Sequence, residues 1–289
     1  MENMVVSGSD ITFGLLGELM TQLNAGVKTG GRKGITGAQF RAFLEHRNPF
    51  SRSDIEEVLP FADEEIDSSY GYPPGFRILS VQEQLQTLIE RADFFEKNDA
   101  SHIDQLASRD LPEGAEGWGL FPKPSVVGSA HHNNLIMFLR LLSIQRSFHT
   151  WSNHEVTTNH LRISARTLNA IEILETETPG DFLVIPVQFG MRHRGRSMRR
   201  TRACFAENEF GLGPYEVAVL MLTHPGRITG HRQLNAGCPG ADYAPKGNCA
   251  YREGIYFHWG LEFERLRMSF STPNDMSRQS GPCTGFLMP

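Results

Sequence analysis

The sequence predicts an α+β fold, mostly helical with a small sheet and with a helical hairpin at the N-terminus. Three observations predict it. Apolar residues recur at 3.6-residue spacing over most of the chain, only three short runs have the look of strands, and the composition is that of a folded globule. The chain has 289 residues, 39% hydrophobic and 21% charged, which allows one large domain or two modest ones and excludes general disorder, collagen and coiled coil.

Ile11, Leu15, Leu16, Leu19 and Leu23 form one helical stripe, with Ser9 or Asp10 as cap and Gly26 as stop. After a basic Gly-rich turn, Thr36 and Gln39 make a capping box, Phe40, Phe43 and Leu44 give an apolar face, and Asn48-Pro49 ends the helix. Residues 52–67 are acidic, with a short helix expected around Asp54–Val58. Tyr70-Gly-Tyr-Pro-Pro-Gly75 reads as a linker. It sets the expected organisation: a helical N-terminal part over 1–75, a main domain over 76–267 and a poorly ordered tail over 268–289.

Within the main domain, Val81, Leu85, Leu88, Ile89 and Ala92 predict a helix over 80–96 capped by Ser80, and Gly117–Pro122 reads as a short strand. Residues 131–147 are apolar on nearly all sides, as in a central helix. Leu161, Leu168, Ile171 and Leu174 predict a helix over 160–176. Phe182–Phe189 is almost continuously apolar, the pattern of a strand buried on both faces, although Pro186 points to an edge, a bulge or a strand end. Gly213-Pro214 opens a buried helix that ends at His224-Pro-Gly, because proline fits the first helical position. Residues 227–253 read as loop, and Ile255–Phe263 as a strand or hairpin.

The net charge of −5 hides a gradient. Residues 1–180 carry 15 Lys and Arg against 24 Asp and Glu; residues 181–289 carry 13 against 9. Such asymmetry makes one face a candidate for anionic partners. Cys204, Cys238, Cys249 and Cys283 form no C-x-x-C pair, so reduced thiols are expected. No basic-then-apolar leader and no apolar run of bilayer length appears, so a cytoplasmic chain without membrane contact is expected.

The feature with the most chemical content follows the apolar strand: Arg192, Arg194, Arg196, Arg199, Arg200 and Arg202, six arginines in eleven residues. Guanidinium forks match phosphate and carboxylate geometry, and strand ends and helix N-termini are where α/β proteins bind anions. A helix over 195–206 would put Arg196, Arg199 and Arg200 on one face beside Arg192, with Met198 and Phe205 opposite. The competing reading pairs these arginines with the acidic N-terminal half. The segment GDFLVIPVQFGMRHRGRSMRRTR with NEFGLGPYEVAVLMLTHPGR, together with EGWGLFPKP and GAQFRAFLEHRNPF, is similar to an uncharacterised family of hypothetical proteins from candidate-phylum bacteria. The resemblance covers most of the chain; it implies a bacterial origin and no mechanism.

Other motifs are weaker. The turn Gly26–Gly34 fails the phosphate-loop pattern, since Arg32 and not Lys follows Gly31, and it joins two helices. His224, His231, Cys238, Asp242, Cys249 and His258 have zinc-ligand chemistry without zinc-site spacing, so neither metal nor cofactor is expected. His193, Glu207 and Glu209 stand near the arginines and are the candidates for acid–base work. Trp118, Trp151 and Trp259 read as core. The leading functional expectation is therefore binding of a phosphate-bearing or other anionic ligand, RNA or DNA included, through the six arginines. The alternatives are an enzyme acting on an anionic substrate beside them with His193 and Glu207 or Glu209, and a non-catalytic interaction module whose arginines are salt-bridged.

Overall fold

The computed structural model describes residues 60–128, 131–150, 159–245, 251–262 and 264–288. The chain divides into two units, Met1–Val58 and Leu59–Pro289, and the described residues belong to the second. The expected N-terminal hairpin, the helix around Asp54–Val58, Trp151 and Cys249 lie outside the described residues.

Helix α1 spans Val81–Arg91, with Ser80 and Glu83 closing a capping box. A 3-10 turn, Asp93–Lys97, leads to α2 at Ile103–Ala107. Strand β1 is Gly117–Pro122. Helices α3, Pro124–Val127, and α4, His131–Gln145, follow. Strands β2 (Phe148–Thr150) and β3 (Leu161–Ile163) precede α5 (Ala165–Glu177). Next come β4 (Phe182–Gln188), α6 (Met198–Ala203), β5 (Glu209–Gly211) and α7 (Pro214–Thr223). The chain closes with β6 (Ala236–Gly237), β7 (Ala241–Tyr243), β8 (Gly254–Gly260), β9 (Arg265–Ser271) and β10 (Thr284–Phe286).

The described residues thus hold ten strands in three sheets beside seven α-helices. The fold is mixed α/β, which corrects the expectation of a mostly helical chain with a small sheet. The physical reason is strand length. β2, β3, β5, β7 and β10 have three residues each and β6 two, too few to show a period of two. The apolar stripe at 160–176 is not one helix: its first turn is β3, and Ser164 caps α5 by accepting from the Thr167 N–H.

The first sheet runs β1-β4-β10-β5 and is antiparallel throughout. All seven residues of β4 are buried. Pro186 does not place β4 at an edge: it sits opposite Trp118 of β1, while β10 pairs only with Val187 and Gln188, leaving one flank of the proline without a ladder partner. The expected poorly ordered tail is part of this fold. β10 lies between β4 and β5 with Thr284 and Phe286 fully buried, and β9 belongs to the second sheet. Its Ser, Gly and Pro content masked a legible alternation, Leu266, Met268 and Phe270 between Arg265, Arg267, Ser269 and Ser271.

The outer edge of β1 is sealed by a side chain. The buried Gln84 carboxamide on α1 donates to Trp118 O at 2.7 Å and accepts from the Leu120 N–H at 2.9 Å. It supplies what a neighbouring strand's peptide would supply, so the buried edge carries no orphan groups there. The second sheet runs β2-β9-β8-β6, with β2 parallel to β9, and β3 and β7 form a separate ribbon. Helix α7 is buried over its whole length and touches α4, β1 and β8, which explains a sequence apolar on every side. The segment read as a linker, 70–75, lies in the second unit: Gly71 bridges to Gln233 and the Tyr72 hydroxyl donates to Glu116 at 2.6 Å. No helix among the described residues is long and apolar enough to cross a membrane.

Candidate anion site beside the arginine helix

After β4 the chain turns at Gly190 and Gly195, both with positive φ. At Gly195 a side chain would collide with the Ile66 carbonyl, and glycine there lets residues 64–66 run alongside 195–197. Ile66 N–H donates to Gly195 O at 3.1 Å, and Ser197 N–H to Glu64 O at 3.0 Å. The Ser197 hydroxyl caps α6 by accepting from Arg200 N–H at 3.0 Å and donates to Glu64 at 2.8 Å. The arginine helix is therefore shorter than the expected 195–206, and the acidic segment is docked on it.

That docking decides the fate of most of the arginines. Arg199 forms a forked pair with Glu64 and stacks over Phe61 at 4.6 Å. Arg196 and Arg200 share Glu65, at 3.1 and 3.0 Å. Hydrogen bonding from Arg196, then Arg200, holds the Glu65 carboxyl below its ordinary range against the opposing effect of burial. Arg202 turns to the other side, donating to Pro239 O and Ala241 O and pairing with Asp242 at 2.8 Å. Arg192 reaches Glu209 at 3.2 Å. Arg196, which precedes the helix, and Arg199 and Arg200 within it turn to the same acidic pair, Glu64 and Glu65, whereas Arg192 pairs with Glu209.

His193 and Glu209 are brought together, as a buried pair. The His193 Nε2 lies 2.7 Å from Glu209, and its Nδ1 lies 3.0 Å from the Arg196 guanidinium. A guanidinium only donates, so Nδ1 accepts and Nε2 carries the proton that is given to Glu209. Burial opposes the charge of Glu209, yet bonds from His193, the Thr284 hydroxyl and the Ala206 N–H hold its carboxyl down to about 2. Both ring nitrogens of His193 are occupied, so the arrangement offers no free imidazole base. Glu207 is exposed, and its backbone carbonyl accepts from Arg166.

Arg194 and Arg278 differ from the rest. Among the described residues, no ion pair or hydrogen bond engages either guanidinium. Both line a cleft of about 580 Å³ with Arg192, Arg196, Glu65, Asp67, Ser68 and Ser69. Ser68 fixes the Arg278 backbone by donating to its carbonyl. Four cations face two carboxylates, and one of those, Glu65, already serves Arg196 and Arg200. Arg278 had no signal in the sequence: it is remote from the cluster and flanked by Ser and Gln.

Of the other titratable candidates, His224, Asp242 and Cys238 are structural. His224 is buried, accepts from Leu79 N–H at 3.1 Å and meets the Thr223 hydroxyl at 3.0 Å; burial holds it down to about 4. Asp242 pairs with Arg162 and Arg202. Burial pushes the Cys238 thiol up strongly and the Cys283 thiol to about 12. Among the described residues no group of three or more His, Cys, Asp or Glu is placed to hold a metal ion. Trp118 and Trp259 pack against the core.

One buried polar centre has no motif in the sequence. Arg227, fully buried, donates to Phe189 O at 3.1 and 2.6 Å, to Leu234 O at 2.8 Å and to Asn235 O at 3.3 Å, and lies 4.4 Å from the Tyr72 ring centre. Glu116, which accepts from Tyr72 and from Phe189 N–H, sits beyond that ring. No family model, no curated protein and no solved structure matches this chain.

Proposed function

We propose that the chain binds a small anionic ligand of the phosphate or carboxylate class in the cleft beside α6, with Arg194 and Arg278 as direct contacts and Arg192 as a supporting charge. The observation that carries this reading is the contrast inside one cluster: five of the six arginines each engage an acceptor of the protein, while Arg194 shares a cleft with Arg278 and neither guanidinium is engaged among the described residues. Two forked donors from different segments suit a bidentate oxyanion. The remaining arginines, Arg196, Arg199, Arg200 and Arg202, serve the fold.

The test is calorimetric titration of the full chain with inorganic phosphate, pyrophosphate and a short RNA at low salt, for wild type, Arg194→Ala and Arg278→Ala. The expected result is binding weakened at least about tenfold in each variant, with an unchanged melting temperature. For RNA, two phosphate contacts limit the salt slope of log K to roughly −1.4 to −1.8. Absence of binding for all three probes, or affinity indifferent to both substitutions, overturns the reading. A much steeper slope would mean that the paired arginines of α6 open toward the ligand.

A further inference from the structure

A second cavity, of about 250 Å³, lies between β8, the start of α6 and the segment 271–281. Its chemistry is unlike that of the arginine cleft. Among the described residues no Lys or Arg lines it, and its polar groups are hydroxyls, carboxamides, one imidazole and one carboxylate. From these residues we propose a binding site for a neutral polyhydroxylated ring, of monosaccharide or cyclitol size.

The cavity is built and held. Asn235 N–H donates to Gln279 O at 2.7 Å, the Ser280 hydroxyl to Arg196 O at 2.6 Å, and Arg199 N–H to Pro273 O at 3.2 Å, so both ends of the 271–281 segment are pinned. Met198 packs on Gly237 and Gly254, whose missing side chains leave it room, and forms an apolar floor. Tyr256 and His258 stand side by side on β8 with ring centres 5.2 Å apart, and the His258 Nε2 is tied to the Ser269 hydroxyl at 2.8 Å.

Around this frame several groups are left unengaged. Among the described residues, nothing hydrogen-bonds the Asn235 carboxamide, the Tyr256 hydroxyl, the Ser271 hydroxyl or the Asp275 carboxylate. Burial, and then the charge of Asp275, hold the Tyr256 hydroxyl protonated, so it is a donor. Burial, and then Arg267, lower His258, which favours the neutral imidazole. A hydroxyl-rich ring answers such a mixed set of donors and acceptors, because each of its hydroxyls both donates and accepts. Its C–H faces can lie on the Tyr256 ring and on Met198. Phosphate is disfavoured, since among the described residues the charged side chain lining the cavity is the carboxylate of Asp275. The volume lies below the ~300–1,000 Å³ of pockets for drug-sized ligands, which limits the occupant to one ring.

This site is separate from the anion cleft, although one segment serves both: Arg278 lines the cleft, and Ser277 and Gln279 line the cavity. The test is saturation-transfer NMR on the full chain with D-glucose, D-ribose and myo-inositol, with cyclohexanol, inorganic phosphate and tetramethylammonium as controls. Wild type, Asp275→Ala, Asn235→Ala and Arg194→Ala are compared, their folding checked by melting curves. The expected result is transfer to at least one of the three polyols and none to cyclohexanol, an affinity at least about tenfold weaker in Asp275→Ala and Asn235→Ala, and no change in Arg194→Ala. No transfer to any polyol, equal transfer to cyclohexanol, a preference for tetramethylammonium or phosphate, or polyol binding unchanged in the folded Asp275→Ala and Asn235→Ala variants overturns it.

Discussion

Arg227 and the arginines of α6 meet the same physical problem with opposite solutions. Arg227 is entirely removed from water and is matched by three backbone carbonyls and the Tyr72 ring, with Glu116 beyond. Arg199 keeps about a third of its side chain exposed and is matched by a single carboxylate, Glu64. Among the described residues, Arg194, in the same segment, has neither kind of partner. The difference teaches that proximity in sequence says little about what an arginine does. Burial and the supply of acceptors decide it, and both come from segments far away in the chain.

Measured stabilities should follow that ranking. Arg227→Met keeps much of the volume but strands the Phe189, Leu234 and Asn235 carbonyls in the core. A loss of about 3–5 kcal/mol or outright insolubility is expected, since unmet buried acceptors cost ~1–3 kcal/mol each. A soluble variant melting within a degree or two of wild type would break the comparison at its strongest point.

Acid should expose the next largest effect. Glu209 is held down to about 2 when folded and titrates near 4.3 when unfolded. Its contribution is fully present above about pH 4.5 and is lost as the pH falls from there toward 2, a difference on the order of 3 kcal/mol. Urea titrations across this range should show the loss in wild type and a much flatter profile in Glu209→Gln. An equally steep profile in the variant would assign the acid sensitivity elsewhere.

Arg199→Ala comes third. It takes the forked guanidinium away from the buried Glu64, which keeps the Ser197 hydroxyl as a hydrogen-bond donor, and a loss of about 1–3 kcal/mol is expected. The double variant with Glu64→Gln should recover part of that loss, and a cycle showing no coupling would mean the pair is incidental. Arg194→Ala is the smallest: an unchanged or slightly raised melting temperature, because relief of repulsion is the only consequence for the free protein. A drop of several degrees would reveal a structural partner and remove the basis for the anion cleft.

Much of the scaffold was legible from the residues. β1 and β4 announced themselves by dense apolar runs between Gly and Pro, α1 by its Ser80 cap, α4 by apolarity on nearly all sides, α7 by its Gly-Pro start, and the β8 hairpin by its aromatic run. Of the cleft, Arg192, Arg194 and Arg196 were legible as part of the basic segment, and so was the carboxylate-rich segment that pairs with its neighbours, while Arg278 was not. What failed were the two- and three-residue strands and β10, whose existence depends on neighbours already in place and not on any local pattern.

The sequence by itself determined the buried elements, because burying apolar surface is non-directional and leaves a periodic trace along the chain. It also determined that the basic segment needed compensation. Only the tertiary structure decided which arginines obtained it. A hydrogen bond requires an acceptor within about 3 Å at a favourable angle, and Glu64, Glu65, Glu209 and Asp242 reach those positions through sheet register and through the left-handed turn at Gly195. The same folding left Arg194 and Arg278 lining one cleft, with no acceptor on either guanidinium among the described residues, a placement that no local feature of residues 194 or 278 encodes.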